Sequence, residues 1–223
     1  VVVNEGRVPQ PILPLRLFAS RERGGAYAAR MLYLGAMIGF FYFTTQLLQD
    51  GLGFTPLQAG LGFLPMTLIN FAVALAIPRF SRVVPTSVLL AAGTATTLAG
   101  MAWLSRAGAD GPYLASAAAP MILIGAGQGL AFAPLTSSGI AGVDPADAGA
   151  ASGVVNTAHQ LGMALGLGVL VTVSARAGND LDGPAAVAEQ VHVALAGSSV
   201  LLAGALIVGL AVIIPAQRKA SSR

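Results

Sequence analysis

Six apolar stretches, each long enough to cross a bilayer, occupy most of this chain: roughly 26–48, 57–78, 86–104, 113–135, 149–174 and 193–215. A helix needs about 20 mostly apolar residues to cross about 30 Å of hydrocarbon. Trimmed at their ends, the stretches hold no Asp, Glu or Lys. Only Arg30 and His159 interrupt them, each read as lying near an end. Backbone in hydrocarbon must satisfy its own hydrogen bonds, which such long segments do as helices. The expectation is an all-α membrane protein of six transmembrane helices: a linker and interfacial segment over 1–25, a bundle over 26–215 and a tail over 216–223.

Charge then reports topology rather than chemistry. Charged residues make up 9% of the chain, against about 25% in soluble domains. The net charge of +3 comes from basic residues scattered over loops and tails without interleaved aromatics, so nucleic acid is not expected as a partner. With the N-terminus inside, the inner regions hold Arg7, Arg16, Arg21, Arg23, Arg30, Arg79, Arg82, Arg218, Lys219 and Arg223; the outer loops hold only Arg106 and Arg176. The positive-inside rule therefore places both termini in the cytoplasm. All basic residues but Lys219 are Arg, and Ala and Gly are abundant, a composition that suggests a bacterial, GC-rich source and hence the bacterial plasma membrane. The opening Val1-Val2-Val3-Asn4-Glu5 reads as the tail of an earlier apolar segment, so a fragment is expected.

No enzyme is expected. There is no cysteine, the two histidines are far apart in sequence and the spans contain no paired carboxylates, so no nucleophile, metal cluster or cofactor site is predicted. Gly125-x-Gly127-x-Gly129 lacks the spacing and the preceding strand of a nucleotide loop; glycines inside an apolar span read as sites of close helix packing. Gly162, Gly166 and Gly168 read the same way. Pro65, Pro120 and Pro134 lie within spans and are expected to kink them.

Local signals mark helix starts. Thr55-Pro56-Leu57-Gln58 has the form of a capping box with Pro at the first helical position, and Asp144-Pro145-Ala146-Asp147 follows the same logic. Val84-Pro85, Gly111-Pro112 and Gly183-Pro184 mark three more. The stretch Pro14–Arg23 reads either as a short amphipathic helix with Leu and Phe toward lipid and Arg toward phosphate, or as a basic linker.

These two starts belong to a repeat. Gly53–Gly60 and Gly142–Gly149 share G-x-[TD]-P-x-[QD]-A-G. One copy opens the second span and the other the fifth, so they enter the membrane from opposite sides. Two three-helix units in inverted topology follow, as in secondary transporters.

Polar residues inside spans are costly unless they face protein or water. In the first span Gly35, Gly39, Tyr42, Gln46 and Gln49 share a face; Thr67 and Asn70 are neighbours in the second, and Gln128 and Phe132 in the fourth. In the fifth, Ser152, Asn156, His159, Gln160 and Met163 form a stripe. The third and sixth spans offer little that is polar. Spans one, two, four and five are therefore expected to line a central cavity without a fixed charge, with three and six outside. The candidate substrate-binding residues are Tyr42, Gln46, Gln49, Asn70, Gln128, Phe132, Asn156 and Gln160. Helix–helix hydrogen bonding is the competing role for Asn156 and Gln160, and packing for Tyr42 and Phe132.

The runs Gly53–Pro65 (GFTPLQAGLGFLP), Gly125–Thr136 (GAGQGLAFAPLT) and Ala148–Gly168 (AGAASGVVNTAHQLGMALGLG), with Pro14–Phe18 (PLRLF) before them, resemble the C-terminal part of the major facilitator superfamily, in its fourteen-helix drug:proton antiporter branch of EmrB/QacA type. The resemblance implies one six-helix bundle of that fold, a 3+3 inverted repeat whose partner is an N-terminal bundle outside this chain. It also implies a small-molecule substrate and protons as the coupling ion. The loop Pro78–Pro85 departs from the family: it keeps Arg82 but lacks the Asp and Gly of the usual Gly-x-x-x-Asp-Arg-x-Gly-Arg loop, so a gating ion pair there is not expected. The reading is the C-terminal half of a proton-coupled exporter of small hydrophobic or amphipathic compounds. A solute importer of the same fold and a non-transporting membrane scaffold are the alternatives.

Overall fold

Six helices of membrane-spanning length and apolarity run through the described residues: Arg21–Gly51, Pro56–Phe80, Thr86–Leu104, Ser116–Gly139, Pro145–Ser174 and Ala185–Gln217. They form one bundle in a computed structural model that describes residues 15–106, 113–178, 181 and 183–221. The stretch 1–14, Asp110, Gly111-Pro112, Asp180, Asp182 and Arg223 lie outside the described residues, as do the side chains of Pro184, Arg218 and Lys219.

Packing follows the repeat. The first span lies along the fifth and sixth, and the fourth lies along the second and third. The first and fourth touch, and the third touches the sixth. Each unit's second helix thus packs on the first helix of the other unit. The first and fourth spans are the most buried, and the second has few buried side chains and many exposed ones, among them Leu57, Leu61, Leu68, Phe71 and Leu75.

The two motif copies share backbone geometry. Gly53 and Gly142 both adopt positive φ, +70° and +60°. Neither faces crowding at its Cβ position, so it is the left-handed turn that calls for glycine. After the turn the copies diverge. Thr55 Oγ1 accepts from the Gln58 N–H at 3.3 Å and Gln58 Oε1 accepts from the Thr55 N–H at 2.9 Å, a closed capping box. Asp144 accepts from the Ala146 N–H at 2.9 Å, but Asp147 is taken elsewhere. It receives Nε–H and Nη2–H from Arg16 at 2.7 and 2.8 Å.

That fork holds the segment read as either an amphipathic helix or a basic linker. Leu15–Phe18 is a single 3-10 turn rather than an amphipathic helix, and Leu17 is buried. Ser20 caps the first span, so Arg21 and Arg23 belong to that helix and not to a linker. Arg23 donates to the carbonyls of Leu17, Ala141 and Arg16, each at 3.0 Å. Arg16 and Arg23 thus tie the turn to the connection between the fourth and fifth spans.

The prolines act unequally. Pro65 has no N–H to continue the ladder, and the second span breaks at Phe63 between Pro56–Gly62 and Leu64–Phe80. Tyr113 donates its hydroxyl to the Gly62 carbonyl at 2.6 Å, satisfying a group next to the break. Pro120 follows a π-helical turn, Leu114–Ala118. Pro134 breaks nothing: Ala119–Gly139 runs through it as one helix.

Glycines set the spacing between helices. A Cβ on Gly162 would stand 2.6 Å from Met31 Cα, and one on Gly35 would stand 2.9 Å from the Gly162 carbonyl. On the other side of the bundle, a Cβ on Gly129 would meet the Asn70 carbonyl at 2.9 Å, and one on Gly93 would meet the Gly127 carbonyl at 2.8 Å. Backbones approach this closely only where a side chain is missing.

Candidate functional site

Besides the buried Tyr33–Thr97 hydroxyl contact at 2.8 Å between the first and third spans, two polar crosslinks join spans of the bundle. Asn70 Nδ2 donates to Gln128 Oε1 at 3.1 Å and to the Gly125 carbonyl at 3.4 Å, joining the second and fourth spans. Arg30 Nη1 donates to Thr136 Oγ1 at 2.8 Å and Arg30 Nη2 meets His159 Nδ1 at 3.3 Å, joining the first, fourth and fifth. Gln128, Phe132 and Thr136 are spaced by four and share one face of the fourth span, so both crosslinks end on a single stripe. The Phe132 ring lies 4.9 Å from the Arg30 guanidinium carbon and 6.5 Å from the His159 ring. Thr136 passes its own hydroxyl hydrogen to the Phe132 carbonyl at 3.0 Å, which leaves its oxygen free to accept from Arg30.

Sequence reasoning missed the centre of this cluster. Arg30 and His159 are the only Arg, Lys, His, Asp or Glu side chains within the trimmed spans, and they touch each other. Arg30 is not an interfacial residue: it is 6% exposed, and it lies nine residues into its helix, about 14 Å along the axis at 1.5 Å per residue. A guanidinium only donates, so His159 Nδ1 accepts and the ring proton sits on Nε2. The expectation is a site without a fixed charge; the cluster holds one, at Arg30. Rarity was the available signal: an ionisable residue inside a span calls for a partner, and these two were each other's nearest candidates.

The predicted residues divide into groups. Asn70, Gln128 and Phe132 belong to the cluster. Asn156 and Gln160 lie one turn apart on the fifth span, exposed on either side of His159. Tyr42, Gln46 and Gln49 are not joined to the others. At the head of their stripe, Gly35 and Gly39 lie under the fifth and sixth spans, against Gly162 and Ser198. That part of the stripe is therefore a packing seam. Tyr42, beyond it, is exposed and meets Phe43 edge to face. Gln46 is half-buried, and Gln49 lies in the π-helical turn Leu47–Gly51. The cluster draws on spans one, two, four and five.

The bundle also has an apolar cleft of about 600 Å³ beside the linker turn, walled by Phe18, Tyr27, Met31, Gly153 and Leu161. It contains none of the predicted residues. Among the described residues no group of His, Asp or Glu is placed to hold a metal ion.

The profile of the Major Facilitator Superfamily matches residues 2–167. The chain is 39% identical over 175 residues to the cephamycin export protein CmcT of Amycolatopsis lactamdurans, covering 78% of this chain and 36% of that protein. It is 39% identical to the puromycin resistance protein pur8 of Streptomyces alboniger, covering 76% and 34%. It is 29% identical to the multidrug efflux pump LfrA of Mycolicibacterium smegmatis, covering 77% and 34%. The chain spans about a third of the length of these relatives. Six membrane-length helices, the extent of the family match and kinship with drug-efflux proteins together identify it: the chain belongs to the major facilitator superfamily of multi-pass membrane transporters.

Proposed function

We propose that this chain is the C-terminal six-helix bundle of a proton-coupled exporter of small hydrophobic or amphipathic compounds. One observation carries the reading. Polar and aromatic side chains from spans one, two, four and five meet along one face of the fourth span, at Gln128, Phe132 and Thr136, and Asn156 and Gln160 stand uncovered on the fifth span. Exposed amides in hydrocarbon are costly; facing a water-filled pathway closed by a second bundle, they are not. Alternating access of this kind rocks one bundle against another around a midplane site. The relatives named for export, resistance and multidrug efflux favour outward transport. Tyr42, Gln46 and Gln49 are proposed to extend the pathway from the cluster along the first span.

The test is a resistance profile of cells carrying the complete transporter, over several dissimilar compounds and normalised to protein level. Asn156→Ala and Gln160→Ala are expected to change the ranking of compounds at unchanged expression. A uniform decline that tracks expression would make the face a packing surface instead.

A further inference from the structure

The fixed charge at Arg30 deepens the transport reading, on which this inference rests. Arg30 is held in place, since two of its N–H groups are spent on Thr136 and His159. Neither acceptor carries negative charge. Among the described residues no carboxylate pairs with Arg30; the ion pairs present are Arg16–Asp147 and His192–Glu189. Its Nε–H is buried and has no acceptor. A buried cation lacking both a counter-charge and one of its hydrogen bonds is expensive, and charged side chains in spans almost always have a partner. The side chains around it, Phe132, Thr136 and His159, are all partly exposed. The charge therefore lies one side chain beneath an uncovered surface.

We propose that Arg30, framed by Phe132, Thr136 and His159, is the recognition site for the carboxylate of an amphipathic, aryl-bearing substrate. Arginine's planar fork matches a carboxylate, and the charge-assisted bonds it makes are about twice as strong as neutral ones. The protein has already desolvated the guanidinium in folding, so an incoming acid pays only for its own desolvation. Phe132 adds an aromatic face beside the charge, which selects acids that carry a ring. Asn156 and Gln160 then meet the remainder of the molecule without demanding one shape.

Benzoate, with benzamide as its uncharged counterpart, tests this on the complete transporter purified in detergent. Benzoate is expected to raise the thermal midpoint of the wild-type protein while benzamide does not. Arg30→Gln is expected to weaken benzoate binding about ten- to hundredfold, the loss of one charge-assisted hydrogen bond. Arg30→Lys, which keeps the charge but not the fork, is expected to fall between. A wild-type protein that answers benzoate and benzamide alike overturns the inference, and does so even if Arg30→Gln fails to fold. That result is also the one expected if a carboxylate elsewhere in the transporter already occupies Arg30. A benzoate response unchanged in Arg30→Gln overturns it as well. The efflux profile described above decides export separately, so each reading can fail while the other stands.

Discussion

Asn70 and His159 are the same position in two copies of one unit. Each lies fourteen residues beyond the proline that opens its span, Pro56 or Pro145. Each reaches across to the first helix of the other unit, Asn70 to Gln128 and His159 to Arg30. The repeat visible in the Gly-x-Thr/Asp-Pro turns therefore continues into the bundle as two related polar crosslinks. They differ in consequence: the first joins two neutral amides, whereas the Arg30–His159 pair leaves a positive charge that no carboxylate among the described residues pairs.

The amide crosslink should be modest in strength. Interhelical hydrogen bonds in membranes average about 0.6 kcal/mol. A double-mutant cycle on Asn70→Ala and Gln128→Ala, read by unfolding in detergent, is expected to give a coupling of about that size. A coupling near zero would mean that the two amides do not share a hydrogen bond.

Glycine substitutions should separate by position along the fifth span. Gly162→Ala and Gly166→Ala place a methyl group against the backbone of Met31 and Gly35, so the first and fifth spans must move apart. A loss of about 1–3 kcal/mol is expected from overpacking. Gly153→Ala and Gly168→Ala meet open space and should be neutral or stabilising, since alanine favours helix by about 1 kcal/mol. Equal effects at all four positions would contradict the packing seam.

The Arg16–Asp147 fork should hold the linker turn to the bundle. The hydrogen bond that Arg16 donates to Asp147, followed by the charge of that carboxylate, raises the Arg16 pKa above the ordinary arginine value. As far as the protonation of Arg16 itself goes, a raised folded value means that its contribution is fully present below the ordinary arginine value and is lost only as pH climbs through the raised one. Arginine's protonation will therefore not release the turn near neutrality. Salt should weaken the contact, because Arg16 is exposed and such pairs are screened. Asp147→Asn is expected to speed tryptic cleavage at Arg16, and high salt should narrow the difference from wild type. Identical cleavage rates at low salt would show that the fork does not restrain the turn.

Tyr113 should matter at the break in the second span. Its hydroxyl donates to the Gly62 carbonyl at 2.6 Å. Tyr113→Phe is expected to cost about 1 kcal/mol, a typical net hydrogen bond, measured by the unfolding midpoint. No change would assign the Gly62 carbonyl another donor.

Orientation can be read with single cysteines, since the chain has none of its own. From the distribution of Arg, Ser81→Cys is expected to resist an impermeant thiol reagent in intact cells and Asp110→Cys to react. The reverse pattern would invert the topology.

The sequence by itself determined the elements. Length and apolarity fixed six spans, because hydrocarbon accepts little else. The turn at Gly53 and the Thr55–Gln58 box were legible because they are local chemistry within a few residues. The tertiary structure decided which side chains meet. Asp147 resembles the closing residue of a second box, but Arg16, distant in sequence, offers two charged donors and takes it. The first-span stripe through Gly35 and Gly39 had the spacing of a cavity wall, yet the fifth and sixth spans cover it, because glycines admit a neighbouring backbone as readily as they admit water. Arg30 and His159 read as two unrelated residues near span ends. Their contact depends on the crossing of the first and fifth spans, which is set by Gly162 and Gly166 against Met31 and Gly35. Helical periodicity shows which face a residue occupies; only packing between helices decides what stands opposite it.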